Sequence, residues 1–175
     1  MRVHHRPGFL VLVALFSFGL PCSHARLVEN WSYERLLNES DLVVIAVATN
    51  VEDSGETTKL KPWDVDFFGV HTAFAVKATL KGKLDKDQIT VLHYRLEKEV
   101  QNINGPSLVT FRLKGIEGKT KTGRKFGIGK PRYLLFLKKG KDDLFEPVSG
   151  QVDPLFSVDE MYHAGIGDWL EDASN

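Results

Sequence analysis

Apolar residues recur at every second position through residues 71–82, where Phe74, Val76 and Leu80 alternate with Ala75, Lys77 and Thr79. A period of two predicts a strand with one face buried, and Lys81-Gly82 supplies the turn signal that ends it. The remaining apolar segments read as strands laid beside this one. Residues 42–51, opened by Asp41, are dense in β-branched side chains and predict a strand buried on both faces at its start. Residues 88–96 predict a third strand, 108–113 a fourth and 132–137 a fifth, with a short edge strand at 144–148 where Pro147 is tolerated. Polar turns separate them at 52–61 with Ser54-Gly55, at 84–87, at 102–106 with Asn104-Gly105-Pro106, and at 138–143. Residues 61–69 read as a loop whose Trp63, Phe67 and Phe68 fold over one end of the sheet.

Helical signals are confined to the two ends. Residues 29–37 predict a short helix with Asn30 or Ser32 as cap, Tyr33, Leu36 and Leu37 on one face, and Trp31 anchoring its packing. Ser157-Val158-Asp159-Glu160 fits a capping box and predicts a second short helix through His163, stopped by Gly165 and Gly167. The tail 168–175 is acidic and reads as frayed. No long helix separates the strands, as parallel crossovers would require. The predicted fold is therefore mainly β: a five-stranded OB-fold-like antiparallel barrel with a short N-terminal and a short C-terminal helix.

The chain's beginning changes the picture of its location. Arg2 and Arg6 precede an apolar run of twelve residues, 9–20, followed by Ser23-His24-Ala25. That is the pattern of a secretory signal peptide cleaved after Ala25, and the run is shorter than the ~20 apolar residues of a membrane span. The expected organisation is a signal peptide at 1–25 and a single domain at 26–175, secreted or periplasmic. Removing Arg2 and Arg6 leaves 21 basic side chains against 23 acidic ones, so no global positive field recruits nucleic acid. The same cleavage removes Cys22, the chain's one cysteine, leaving a domain held by core packing without disulfides.

Four stretches together resemble a known family. Ser40-Asp41-Leu42-Val43-Val44-Ile45-Ala46 looks like its first strand, and 74–82 looks like the strand that runs into its Phe/Leu-Lys-Gly turn. Gln88-Ile89-Thr90-Val91 resembles the strand after it, and Gly129-Lys130-Pro131-Arg132-Tyr133-Leu134-Leu135-Phe136 is similar to its Gly-x-x-Tyr-Leu strand. That order is similar to the netrin-like modules and the tissue inhibitors of metalloproteinases, across roughly residues 40–137. The resemblance implies an OB-fold barrel. The inhibitors of that family act through an N-terminal cysteine that chelates the protease zinc. Here Cys22-Ser23-His24 carries one cysteine where the family pattern has two. The resemblance thus implies the scaffold first, with protease regulation as an alternative function.

Candidate chemistry is sparse. His71 and His93 are weak metal candidates, able to act together if adjacent strands set them side by side with Asp64, Asp66 or Glu97 near. Each stands alone in its own segment, so a structural role is the simpler reading, and no cofactor is expected. His163 is the third histidine past residue 25. No Gly-x-Ser-x-Gly turn raises a serine nucleophile, and Ser149-Gly150 reads as a turn. Glu97 and Glu99 flanking Lys98 read as a solvated edge.

The strongest local anomaly lies in residues 114–131, which read as a mobile loop. Lys114, Lys119, Lys121, Arg124, Lys125 and Lys130, with Arg132 just beyond, are opposed by Glu117 alone. Lys119, Lys121, Arg124, Lys125 and Lys130 are the candidate binding residues, for a polyanionic surface such as anionic headgroups or an acidic polysaccharide. The expected function is a non-enzymatic binding or interaction domain of the cell envelope. Its contact surface would be the loops 52–69 and 114–131, touching a membrane only peripherally. Protease regulation and metal binding through the strand histidines are the alternatives.

Overall fold

Two long strands dominate the architecture of the computed structural model, which describes residues 29–61, 63, 65–97, 107–119, 123 and 125–161. Strand β1, Leu42–Lys59, pairs antiparallel with β2, Asp66–Lys81. Strand β3, Gln88–Leu96, continues the meander against β2 with an unbroken register from Phe67↔Leu96 to Ala75↔Gln88. After a two-stranded excursion, β4 (Ile116–Lys119) and β5 (Lys125–Ile128), the chain returns as β6, Arg132–Lys139. β6 pairs with the first residues of β1, from Leu42↔Leu137 to Ala46↔Tyr133. Strand β7, Phe145–Pro147, bridges β6 to β3, and β8, Val158–Met161, lies beside β7 on the same edge of β6. The order β1-β2-β3-β7-β6 returns to β1, so the molecule is mainly β and closes a ring of five strands.

The ring's inner face follows from alternation along the strands. Val44, Ala46 and Ala48 of β1, Phe74 of β2, Ile89 and Val91 of β3, and Tyr133, Leu135 and Leu137 of β6 form one apolar cluster with Val109 and Phe111. Phe74, Phe111 and Tyr133 meet edge-on, with centroids 4.8 Å apart for Phe74 and Phe111 and 5.1 Å for Phe111 and Tyr133. Edge-to-face contact sets a ring's positive rim against a negative face. The buried Tyr133 hydroxyl accepts from the Arg112 N–H at 2.8 Å. A smaller cluster on the other side of β1 and β6 joins Leu36, Val43, Phe136 and Val148.

Several expectations need correction. Residues 52–61 are not a turn, because β1 runs on to Lys59. Its register shifts between Asp53↔Val70 and Thr57↔Phe68, and Ser54-Gly55-Glu56 bulge out, Gly55 adopting φ 76°. Backbone pairing needs no apolar side chains, so an exposed polar ribbon extends the strand unannounced. Phe67 and Phe68 belong to β2 rather than to a loop, and Phe67 is fully buried. The expected fourth strand, 108–113, makes one bridge, Leu108↔Val152, and no ladder. Its alternation marked burial of Val109 and Phe111, not a strand partner. The segment at 144–148 is no edge strand, since β7 sits between β6 and β3.

At the ends, helix α1 spans Tyr33–Glu39, with Ser32 as its cap accepting from the Arg35 N–H at 3.2 Å. Leu36 is fully buried, whereas Tyr33 and Leu37 are exposed, so only part of the expected apolar face is used. Trp31 packs against the smaller cluster with the Arg35 guanidinium over its ring. Lys81 Nζ donates to the carbonyls of Leu37 and Ser40, both at 2.6 Å, and so ties the helix C-terminus to β2. Gly82 follows at φ 87°, where a Cβ would press on the Asp41 carbonyl, a physical reason for the Lys-Gly turn.

The capping box at Ser157 does not start a helix. Ser157 ends a single 3-10 turn, Leu155–Ser157, its hydroxyl donating to the Pro154 carbonyl at 2.5 Å, and the chain enters β8. Glu160 pairs with Arg112 instead of folding back. The open edge of β6 outcompetes the local signal, because it offers 158–161 a full ladder. Residues 1–28, 98–106 and 162–175, with the signal segment, the Asn104-Gly105-Pro106 turn, His163 and the acidic tail, lie outside the described residues. Among those described, no helix is long and apolar enough to cross a membrane.

Candidate binding surface

The basic segment, expected to be a mobile loop, contains two short strands among its described residues. β4 and β5 pair antiparallel from Ile116↔Ile128 to Lys119↔Lys125, a two-stranded sheet separate from the ring. Its ends are rooted: Leu113 packs against the core before β4, and Pro131 is buried just before β6. The described part of the segment is therefore a paired ribbon with both ends held at the core. Of the candidate residues, Lys119 and Lys125 are register partners at the far end of the ribbon. Lys121 and Arg124 lie between them in sequence and outside the described residues, while Lys130 and Lys114 are exposed at the base. Arg132 is exposed at the start of β6.

The two strand histidines are neighbours in strand but not in face. His93 lies opposite Val70, and His71 lies opposite Leu92, so the histidines are one register step apart and alternation sends them to opposite faces of the β2–β3 ribbon. His93 points inward and is 5% exposed, its Nε2 2.8 Å from the Thr72 hydroxyl and its ring edge-on to Phe111 at 5.0 Å. Burial pulls its pKa from 6.5 down to about 4. The Val109 backbone opposes that shift, and the positive charge His71 can carry adds to it. Nδ1 has no partner in hydrogen-bond geometry. His93 is thus a neutral core imidazole at neutral pH. The parity that separates it from His71 removes the two-histidine metal arrangement, and no three His, Cys, Asp or Glu side chains gather to hold a metal among the described residues.

The other candidates fall apart in space. Asp66 and Glu97 are exposed, and Asp64, Lys98 and Glu99 lie outside the described residues. Ser149 Oγ donates to the Pro154 carbonyl at 2.8 Å and sits 2.6 Å from Ser157 Oγ, a turn-fixing arrangement. Thr72 was missed, although a signal existed: it shares the parity of Phe74 and Val76, a polar residue on an apolar face. Nothing in the sequence pointed to Gln151, which donates to the Leu92 carbonyl from 59 positions away. Comparison with known proteins adds no name to this geometry: no family model, no curated protein and no solved structure matches the chain.

Proposed function

We propose that this chain is a non-enzymatic binding module of the cell envelope, in which an OB-fold-like barrel of the netrin type is the scaffold and the cationic β4–β5 hairpin receives a polyanionic surface. The observation that carries the reading is the register pair Lys119↔Lys125 at the end of a ribbon that pairs with no other strand among the described residues. The register brings two basic positions to one step of the ribbon. A row of phosphate, sulfate or carboxylate groups offers them counter-charges. Lys121 and Arg124 fall between them in sequence, so four cations lie within seven residues of the chain. Contacts of this kind weaken with salt. Export through the apolar leader is part of the same proposal and places the domain where acidic polysaccharides and anionic headgroups are the available polyanions.

Retention on immobilised heparin and on anionic vesicles, each at low ionic strength, tests the reading and separates its two sources. The wild-type chain is expected to be retained by one of them and released by salt, and the variant with Lys119, Lys121, Arg124 and Lys125 all changed to Ser is expected to flow through. Wild-type protein that neither matrix retains would rule the reading out. N-terminal sequencing of the exported protein checks the leader, with Arg26 expected first. A chain beginning at Cys22 would instead favour protease regulation.

A further inference from the structure

Strand β8 delivers the chain to the root of the cationic hairpin. It runs antiparallel to β6 from Leu135↔Val158 to Arg132↔Met161. Arg132 opens β6, four positions after β5 ends at Ile128. Met161, the last described residue, is therefore held beside the stretch that leads out of the hairpin, and it is exposed there. At that point β8 is heading toward lower residue numbers of β6, that is, toward Pro131 and Lys130.

The cations here are left without counter-charges. Arg35, Arg95 and Arg112 pair with Glu39, Asp53 and Glu160, whereas Lys114, Lys130 and Arg132 are exposed and take part in no ion pair among the described residues. Residues 114–132 hold seven Lys or Arg against Glu117 alone. Residues 162–175, which lie outside the described residues, have the opposite balance: Asp168, Glu171 and Asp172, with no Lys or Arg. The spacing matches as well. Asp168 comes seven residues after Met161, and Lys125 comes seven residues before Arg132, so measured from that register pair the first acid and the hairpin's cations lie at equal chain distance. Seven extended residues span about 23 Å, enough for the acids to reach the end of the ribbon.

We propose that the acidic segment 168–172 docks on the cationic β4–β5 hairpin, an intrachain cover that competes with a polyanion for the same lysines and arginines. The competition rests on the reading of the hairpin as a polyanion site, but the contact itself needs only the two opposite charge runs and the point where β8 ends. Contacts between exposed charges are individually small and screened by salt. The tether is what makes them count, because a short linker holds the acids at an effective concentration in the mM range. Trp169 adds a ring face on which a Lys or Arg can lie. A cover of three carboxylates yields to a ligand that presents more charges at once. It therefore selects long polyanions over single phosphate or carboxylate ions.

Paramagnetic broadening in the full chain tests the contact. With Cys22→Ser and Ser174→Cys the chain carries one thiol, and a nitroxide attached there at low ionic strength is expected to broaden the amide signals of Gly123 and Gly127 but not of Gly140, beyond the far end of β6. Salt, or Asp168→Asn, Glu171→Gln and Asp172→Asn together, is expected to remove the broadening. Salt elution from immobilised heparin reads the competition. The triple variant is expected to elute later than a charge-matched control, Glu34→Gln, Asp85→Asn and Asp142→Asn, whose acids are exposed elsewhere. Broadening in a chain that neither heparin nor anionic vesicles retain would end the polyanion reading and leave the cover standing. Absence of broadening at low salt, broadening that survives the triple variant, or a triple variant that elutes with its charge-matched control would each overturn the inference.

Discussion

His93 and His71 stand one register step apart on neighbouring strands, and the ring treats them as different chemistry. On the inner face His93 is enclosed by Thr72 and Phe111 and is kept neutral by burial. On the outer face His71 stands opposite Glu52 and Leu92, with an unpartnered Nε2. The same side chain becomes a core part or an outer-face group according to the parity of its position, since a shift of one residue carries a strand side chain to the other face. Inner-face residues should therefore act on stability far more strongly than their outer-face neighbours.

The largest expected effect lies in the core. Phe111→Ala removes the ring that touches Phe74, Tyr133 and His93 and is expected to cost about 3–5 kcal/mol in urea unfolding. A loss well under ~1 kcal/mol would show that residues 107–113 are not part of the core.

Acid comes next. The folded state holds His93 near pKa 4 while the unfolded chain protonates at 6.5, so the unfolded state binds more protons between those values. The His93 contribution is complete above pH 6.5, declines as pH falls from there toward 4, and amounts to about 3 kcal/mol when fully lost. Unfolding midpoints measured across that window should fall for the wild-type chain and flatten in His93→Gln. A wild-type chain with no such slope breaks the inner-face half of the comparison.

Thr72→Val is smaller. It strips the hydroxyl from His93 Nε2 and leaves a buried ring nitrogen alone, an expected loss of about 2 kcal/mol by the same unfolding measurement. Smallest of all, His71→Ala on the outer face is expected to stay within about 0.5 kcal/mol of wild type. Should it destabilise as much as Thr72→Val, the outer face is structural and the division between faces dissolves.

Much of this division was legible beforehand. The alternation of Phe74 and Val76, the bounds of β3 and the Lys81-Gly82 turn all emerge from short-range pattern, and Thr72 could have been read from the same parity. The histidine pair could not. Whether His71 and His93 face each other depends on a register set by two strands together, and that register puts Val70, not His71, opposite His93. The basic segment was visible as charge, but its folding into a hairpin was not, because Gly118 and Gly127 weaken any strand pattern there. Ser157 shows the reverse error, a sound local signal overruled by an open strand edge.

By itself the sequence determined that this chain is built of strands, that Phe74 and Val76 belong to a buried face, although Leu80 of the same alternation is exposed, and that cations concentrate between Lys114 and Arg132, since side-chain period and charge are properties of neighbouring residues. The tertiary structure alone decided that Leu42–Lys59 runs as one bulged strand, that β6 closes the ring on β1, and that Gln151 reaches Leu92 beside His71. Those contacts join residues dozens of positions apart, and they form only when a whole apolar interior is sealed at once, so no local stretch of chain encodes them.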